Sequence, residues 1–141
     1  VVGARSVGSS KGRVDLATRS AYSFAVSSAI NGSAAAEELG NSVVQLRPGR
    51  AFDLDKDGKS DVIACSRRTG GSGTTGTCYL YFGQTLTPSP GWSLSNAARQ
   101  FSVTAETGLF TPVTGIGDID ADGYEDFVIC SSGSASCRIV R

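Results

Sequence analysis

The chain has 141 residues, enough for one domain with a buried core, and 40% of them are hydrophobic. Its 13 Lys and Arg residues balance 13 Asp and Glu residues without a basic block, and no apolar run reaches the length of a membrane span, so neither nucleic acid binding nor membrane insertion is expected. The chain has no His, which excludes Ser-His-Asp and Cys-His catalysis, and no Met, which predicts a processed product or a piece of a longer protein.

The first 42 residues predict an incomplete repeat. Short β-branched or apolar stretches make candidate strands of Val1–Ala4, Arg13–Leu16 and Tyr22–Val26. Ser33–Gly40 contains three consecutive alanines and is predicted to form a helical turn. Glu37 and Glu38 are then expected on the solvated face of that turn.

The first acidic cluster follows the candidate strands Val43–Leu46 and Arg50–Phe52. It has the pattern D-x-D-x-D-G-x-x-D and holds four of the nine aspartates, Asp53, Asp55, Asp57 and Asp61. Four carboxylates this close repel one another unless a cation neutralises them. At alternate positions of a curled loop they converge on one point, and the Gly at position six permits the turn. Position seven, Lys59, is expected to contribute its main-chain carbonyl.

The same pattern recurs after the candidate strand Leu109–Ile116, with the aspartates Asp118, Asp120, Asp122 and Asp126 and with Tyr124 at position seven. An EF-hand needs Glu at position twelve, where these loops have Ala64 and Ile129 inside β-type sequence. An acidic surface turn without an ion is the alternative, but two full copies favour two bound cations. Calcium is preferred over magnesium, which keeps its waters and seldom occupies an all-protein cage.

Each acidic loop precedes an apolar strand, a stretch of small residues and a second strand, which in the first copy ends in Tyr81-Phe82-Gly83. This pattern resembles the FG-GAP repeat, which builds the integrin α-subunit-like β-propeller. The resemblance implies an all-β fold of four-stranded antiparallel blades, two blades plus a partial one, which is incomplete as a single chain. The implied units are a partial blade over 1–42, a blade over 43–108 and a partial blade over 109–141. It also implies that the aspartates of each loop ligate one calcium ion.

Four cysteines lie at matching ends of two strand–turn–strand units, as Cys65 with Cys78 and Cys130 with Cys137. They allow three disulfide pairings, of which the repeat favours the two local ones. A zinc site made of all four is the alternative, but it usually uses C-x-x-C pairs, which are absent. Disulfides and calcium together predict a secreted protein. Asn31 opens an N-x-S triplet and is a candidate N-glycosylation site.

Every strong signal in the sequence is structural, which predicts a non-enzymatic extracellular module with a structural, adhesive or self-assembling role. The expected partners are other copies of the chain, in a ring or a fibre, or other extracellular proteins, because an incomplete blade leaves unpaired strand edges. The alternative is a carbohydrate-binding propeller lectin, whose candidate aromatic platforms are Trp92, Tyr79, Tyr81 and Tyr124. An enzyme is not expected, since the carboxylates outside the acidic pattern form no catalytic motif.

Overall fold

The structure is a computed structural model that describes residues 2–4, 11–20, 23–44, 46–47, 50–68, 75–83, 93–104, 110–131 and 135–141. These residues form β-strands, loops and one 3-10 turn, Leu94–Asn96, and contain no α-helix, so the predicted all-β class is confirmed. No helix among them is long and apolar enough to cross a membrane.

The strands are short and separated by turns, as the Gly-rich sequence leads one to expect. In chain order they are β1 (Val2–Ala4), β2 (Arg13–Ser20), β3 (Ser23–Asn31), β4 (Ser42–Val44), β5 (Leu46–Arg47), β6 (Arg50–Ala51), β7 (Val62–Ser66), β8 (Thr75–Tyr81), β9 (Arg99–Thr104), β10 (Phe110–Gly117), β11 (Asp126–Ser131) and β12 (Ser136–Val140). The predicted outer strand Tyr22–Val26 is part of the longer β3; its first residue, Tyr22, lies outside the described residues.

Three antiparallel sheets follow one another along the chain. Their strand orders are β1-β2-β3, β4-β7-β8-β9 and β10-β11-β12, so neighbours in sequence mostly pair as hairpins. The exception is the pair β4-β7, because the small hairpin β5-β6 is inserted between β4 and the first acidic loop. In the last sheet β10 instead runs directly to Gly117, which pairs with Asp126 across the second acidic loop.

The central strands of the middle sheet, β7 and β8, are buried on both faces. Alternate residues of a strand point to opposite faces, and all five residues of β7 are buried. Ile63 and Cys65 pack in one apolar cluster with residues of the last sheet, including Val113 and Ile129. Ala64, with residues of β8, packs in a second cluster with Val14 and Ile30 of the first sheet. The first and last sheets therefore pack on opposite faces of the middle sheet, and the core consists of the two apolar layers between them.

Aromatic rings at the loop ends anchor both acidic loops to the core. Phe52 directly precedes the first loop, Phe127 directly follows the second, and both side chains are buried. Their rings meet edge to face with centroids 6.2 Å apart. Phe101 of β9 makes a similar edge-to-face contact with Phe127 at 5.5 Å. Such pairs stabilise beyond their burial alone, so packing fixes where each acidic loop starts or stops.

Both predicted local disulfides form. Cys65 and Cys78 are directly opposite in the β7–β8 pair, and Cys130 and Cys137 are directly opposite in β11–β12. All four cysteines are thereby used, which excludes the four-cysteine zinc site. Disulfides persist in oxidising surroundings, so the pairing indicates an oxidising compartment such as the extracellular space.

Segment 33–40 differs from the predicted helical turn. It is a series of bends in which Ala36 and Glu38 have left-handed backbone, with φ of 60° and 52°, and such residues end a right-handed helix. The prediction that Glu37 faces solvent is also wrong, because this side chain is completely buried. Its Oε2 accepts hydrogen bonds from the amides of Ser33 and Ala34 at 2.6 and 3.1 Å. The carboxylate therefore satisfies donors that the bent backbone leaves without partners.

Two buried tyrosines are expected to make the folded state less stable at alkaline pH. Burial raises the pKa of Tyr79, with a further contribution from Glu37, and burial also raises the pKa of Tyr81. A raised pKa favours the neutral phenol in the folded state. The resulting stability is complete below the unfolded tyrosine pKa of about 10 and is lost as the pH rises above it.

We therefore expect the tyrosinate absorbance of Tyr79 and Tyr81 to develop above about pH 10, together with the loss of near-ultraviolet circular dichroism. Tyr79→Phe and Tyr81→Phe each remove one late-titrating phenol, which assigns the signal. Tyr81→Phe also removes the hydrogen bond from its hydroxyl to the Ser93 carbonyl, 3.2 Å long. Reversible ionisation of both phenols near pH 10 in the folded protein would contradict the expected protection.

Candidate metal centre

Both acidic loops lead into the second strand of a sheet; the first follows the hairpin β5-β6, and the second follows β10. The first loop runs from Asp53 to Asp61, directly before β7, and the second runs from Asp118 to Asp126, where β11 begins. The amide of Asp61 donates to the Phe52 carbonyl, which closes the first loop at its base. Each loop leads into a strand, as the β-type sequence after position nine predicts, and neither has the flanking helices of an EF-hand.

The backbone of the two loops turns in the same way. Gly58 and Gly123, at position six, have φ of 81° and 87°, a region that glycine enters without steric cost. Position four is also left-handed in both copies, at Lys56 with φ of 60° and Ala121 with φ of 61°. This conformation is uncommon for residues other than glycine. Its occurrence at the same position in two loops of different sequence shows one shared loop geometry.

Backbone amides donate to the carboxylates of the first loop. The Gly58 amide donates to Asp53 Oδ2 at 3.0 Å, and the Asp57 amide donates to Asp55 Oδ1 at 3.2 Å. The Lys59 amide donates to Asp57 Oδ1 at 2.8 Å. These bonds curl the chain around its own acidic side chains, as Asp residues do in turns.

The second loop repeats this network. The Gly123 amide donates to Asp118 Oδ2 at 2.8 Å, and the Tyr124 amide donates to Asp122 Oδ1 at 2.7 Å. The Asp122 amide lies 3.3 Å from Asp120 Oδ1. Three bonds of the first loop therefore have equivalents in the second, which also has a bond from the Asp122 amide to Asp118 Oδ1 at 3.1 Å.

The loop conformation brings three of the four predicted carboxylates together in each copy. Oxygens that can act as metal ligands lie within 4.8 Å of one another in two triads, Asp53 with Asp55 and Asp61, and Asp118 with Asp120 and Asp126. Converging carboxylate oxygens at this spacing suit a hard divalent cation. Each acidic triad can therefore hold a metal ion.

The fourth carboxylate of each loop, at position five, lies outside the triad. In the first loop Asp57 accepts from the Lys59 amide and pairs with the Lys59 ammonium at 3.0 Å. The Lys59 ammonium, through this hydrogen bond, lowers the pKa of Asp57. Asp122 accepts the Tyr124 amide in the same way. Triad members accept loop amides as well, so the predicted ligand role of Asp57 and Asp122 stays a prediction.

Buried carboxylate oxygens without partners test whether the loops fit a cation. Asp53 Oδ1 and Asp126 Oδ1 are shielded from solvent and accept no hydrogen bond, although other oxygens of both triads do. A buried carboxylate oxygen without a hydrogen bond is costly, and a facing cation would offset that cost. Glu37 Oε1 and Glu125 Oε2, which belong to no triad, are also buried without a hydrogen bond. Asp53 Oδ1 and Asp126 Oδ1, by contrast, belong to residues of the two triads. The donor set and the unpaired oxygens therefore fit a metal ion in each loop.

Asp61 shows the electrostatic cost of the first triad. Its side chain is fully buried, and burial raises the pKa of its carboxyl, with Asp55 and Asp53 adding to the shift. Amide hydrogen bonds from Leu54 and Gly83 oppose the rise. A divalent cation among these carboxylates would favour their charged form and so reverse the repulsion.

Gly83 connects the end of β8 with the first loop. Its amide donates to Asp61 Oδ1 at 2.7 Å. A Cβ at this position would lie 2.4 Å from the Ser60 carbonyl oxygen, so only glycine allows the strand end to approach the loop this closely. In the sequence, this glycine stands out only as the last residue of Tyr81-Phe82-Gly83. The sequence pattern does not show which carboxylate Gly83 contacts.

The remaining candidate residues have different surroundings. Asn31 is exposed at the end of β3, and its glycosylation stays a prediction. Tyr79 and Tyr81 are buried in the core cluster with Val14 and Ile30, and therefore offer no platform to a sugar. Tyr124 is half exposed, and an ammonium from the first loop lies over its ring. Trp92, the other aromatic candidate, lies outside the described residues.

Comparison of the chain with protein-family models and with curated proteins gives no significant match. The resemblance to the FG-GAP repeat consequently rests on the residues of the loops and of the strands that follow them.

Proposed function

We propose that this chain is an extracellular calcium-binding module of the FG-GAP type, in which two ions stabilise the β-sheets and catalysis plays no part. The observation that supports this most is the duplicated triad with a buried, unpaired carboxylate oxygen in each copy. One such loop would be an acidic turn. Two loops with the same left-handed positions and the same amide bonds point to a common purpose.

Calcium fits the donor chemistry better than other common ions. The triads offer carboxylate oxygens, and no His is available in the chain. Zinc prefers sulfur and nitrogen ligands, and all four sulfurs are in disulfides. Magnesium demands octahedral geometry and retains water, whereas calcium accepts six to eight oxygens in a flexible loop. The main-chain carbonyl of Lys59 or Tyr124 would add a further oxygen to each calcium site.

The sheets support a blade arrangement within the same proposal. The middle sheet has four antiparallel strands in the order expected for one propeller blade, and the neighbouring sheets pack on its two faces. In the last sheet β12 forms the outer edge, and four of its five residues are exposed. An exposed edge strand can pair with a strand of another chain, so the proposed partners are other copies or other extracellular proteins.

A carbohydrate-binding role has less support. Of the four aromatic candidates, Tyr79 and Tyr81 are in the core, and Tyr124 already contacts a lysine. The disulfides are consistent with either role because both need an oxidising compartment. We therefore keep calcium-dependent structure and adhesion as the proposed function.

Calorimetric titration with calcium tests the proposal. We expect two ions per chain at about millimolar calcium or below. Asp55→Asn and Asp120→Asn change equivalent, exposed triad residues, and each should remove one ion while the other loop still binds. Asp15→Asn is the matched control, because Asp15 is the one aspartate outside the loops and pairs with Arg13 instead.

The proposal fails if the wild-type protein binds no calcium, or if Asp15→Asn lowers the stoichiometry as much as the loop variants do. Sedimentation of the same samples with and without calcium shows whether the ions also drive self-association. A mass that rises only with calcium supports self-assembly, whereas a constant monomer mass would direct the search for partners to other proteins.

A further inference from the structure

Lys56 and Tyr124 bring the two acidic loops into contact. Lys56 of the first loop places its ammonium 3.4 Å from the centroid of the Tyr124 ring in the second loop. The same nitrogen would lie 2.8 Å from a Cβ at Gly123, so the glycine leaves room for it. An ammonium over an aromatic face is a favourable cation–π contact. A cation of one candidate metal loop is therefore held against the other.

The two loops carry very different charges. The first loop, 53–61, contains four Asp and two Lys residues and has a formal charge of −2. The second loop, 118–126, contains four Asp residues, one Glu and no basic residue, which gives −5. The ammonium of Lys56 thus lies against the more acidic loop, where it has the most charge to offset.

A lysine of the first loop contacts the second loop, but the equivalent position of the second loop has no cation that could contact the first. The residue of the second loop that is equivalent to Lys56 is Ala121, which has the same left-handed backbone but no side chain to reach across. The other lysine of the first loop, Lys59, pairs with Asp57 of its own loop. Lys56 alone among these residues therefore links the loops by charge.

We propose that Lys56 is a tethered counter-cation of the second loop, which lowers the affinity of that loop for a divalent ion by competing with the ion electrostatically. This inference rests on the proposed calcium function. Calcium affinity in such loops depends on the charge count of the site, so one added positive charge at the rim weakens binding. By linkage, an ion in the second loop weakens the hold on Lys56 to the same extent.

The size of the effect follows from the contact. The competition cannot exceed the strength of the interaction between Lys56 and the second loop. For an exposed cation–π contact this corresponds to about two- to five-fold in an equilibrium constant. Because the charges are near the surface, added salt screens the effect.

The experiment measures calcium affinity of the second loop alone, by calorimetry in the Asp55→Asn background, in which the first loop is impaired. Adding Lys56→Gln should tighten binding by about two- to five-fold, and less at high salt. Lys11→Gln removes the same charge from an exposed position before β2 and should change nothing. With Tyr124→Leu also present, Lys56→Gln should have a smaller effect, because the ammonium has lost the ring that holds it.

Three results would overturn the inference: unchanged binding in Lys56→Gln, weaker binding in Lys56→Gln, or equal tightening in Lys11→Gln. Unchanged binding would show that Lys56 does not compete with the ion, and weaker binding would show that Lys56 supports the site. Equal tightening in Lys11→Gln would show that the effect comes from net charge alone. Failure of the proposed function is distinguishable from these, because the Asp55→Asn protein would then bind no calcium before Lys56 is changed.

Discussion

Calcium should raise the melting temperature of this protein by about 10–20 °C relative to the chelated state. Each site that binds the folded state alone adds about 2.7 kcal/mol at a calcium concentration one hundred times the dissociation constant, and two sites add about twice that. For a domain of this size 1 kcal/mol corresponds to about 2–4 °C. Differential scanning calorimetry with calcium and with excess chelator measures the shift.

The physical reason for so large a shift lies in the apo loops. Each folded loop holds three carboxylates together, and one of their oxygens is buried without a partner. The unfolded chain separates these charges, so the metal-free fold carries a repulsion that a bound cation would remove. Binding energy would thereby become folding energy, as in other proteins whose metal sites form only on folding.

Two controls separate specific binding from a general salt effect. The double variant Asp55→Asn/Asp120→Asn changes one exposed residue of each triad and should lose most of the calcium-dependent shift. Sodium chloride at the same ionic strength should leave the wild-type melting temperature almost unchanged, since screening is much weaker than coordination. A wild-type protein that melts at the same temperature in calcium and in chelator would exclude a stabilising ion.

The features predicted correctly from sequence are those encoded within a short stretch. The nine-residue acidic pattern locates both loops because its carboxylates, its glycine and its turn are neighbours in the chain. The cysteine pairs were predicted for the same reason, since Cys65–Cys78 and Cys130–Cys137 each close one hairpin. In such local patterns the spacing along the chain already fixes the spacing in space.

The features that sequence reasoning missed depend on contacts between distant segments. Lys56 meets Tyr124 only because two sheets pack together and bring two loops side by side. Glu37 is buried between two left-handed residues, Ala36 and Glu38, in a segment that helix propensity alone assigns to a helical turn. Tertiary packing overrides local propensity at such positions, so no pattern in the chain shows them.

Removing the disulfide Cys65–Cys78 should destabilise the protein more than removing Cys130–Cys137. In the loop-entropy model the separations of 13 and 7 residues correspond to about 3 and about 2.5 kcal/mol, so loop length alone separates the two only slightly. Burial makes the larger difference. Cys65 and Cys78 are fully buried in the core cluster, whereas Cys137 is exposed on β12.

The paired variants Cys65→Ala/Cys78→Ala and Cys130→Ala/Cys137→Ala measure this difference by denaturant unfolding in saturating calcium. Removing two buried sulfurs adds a packing loss to the entropic term, so the first pair should lose about 4–5 kcal/mol. The second pair should lose about 2–3 kcal/mol, because little packing is lost at an exposed edge. The matched substitutions keep the chemistry of the change the same in both hairpins.

Reduction of the wild-type protein gives an independent measurement of the same asymmetry. Thiol–disulfide exchange needs access of a thiolate to a sulfur, so a mild reductant should open Cys130–Cys137 first. Cys65–Cys78 should react only when the middle sheet opens, and calcium should slow that step by stabilising the loop directly before β7. Mass spectrometry of alkylated samples follows both bonds over time. Equal reduction rates for the two bonds, with or without calcium, would show that burial in the middle sheet does not protect its disulfide.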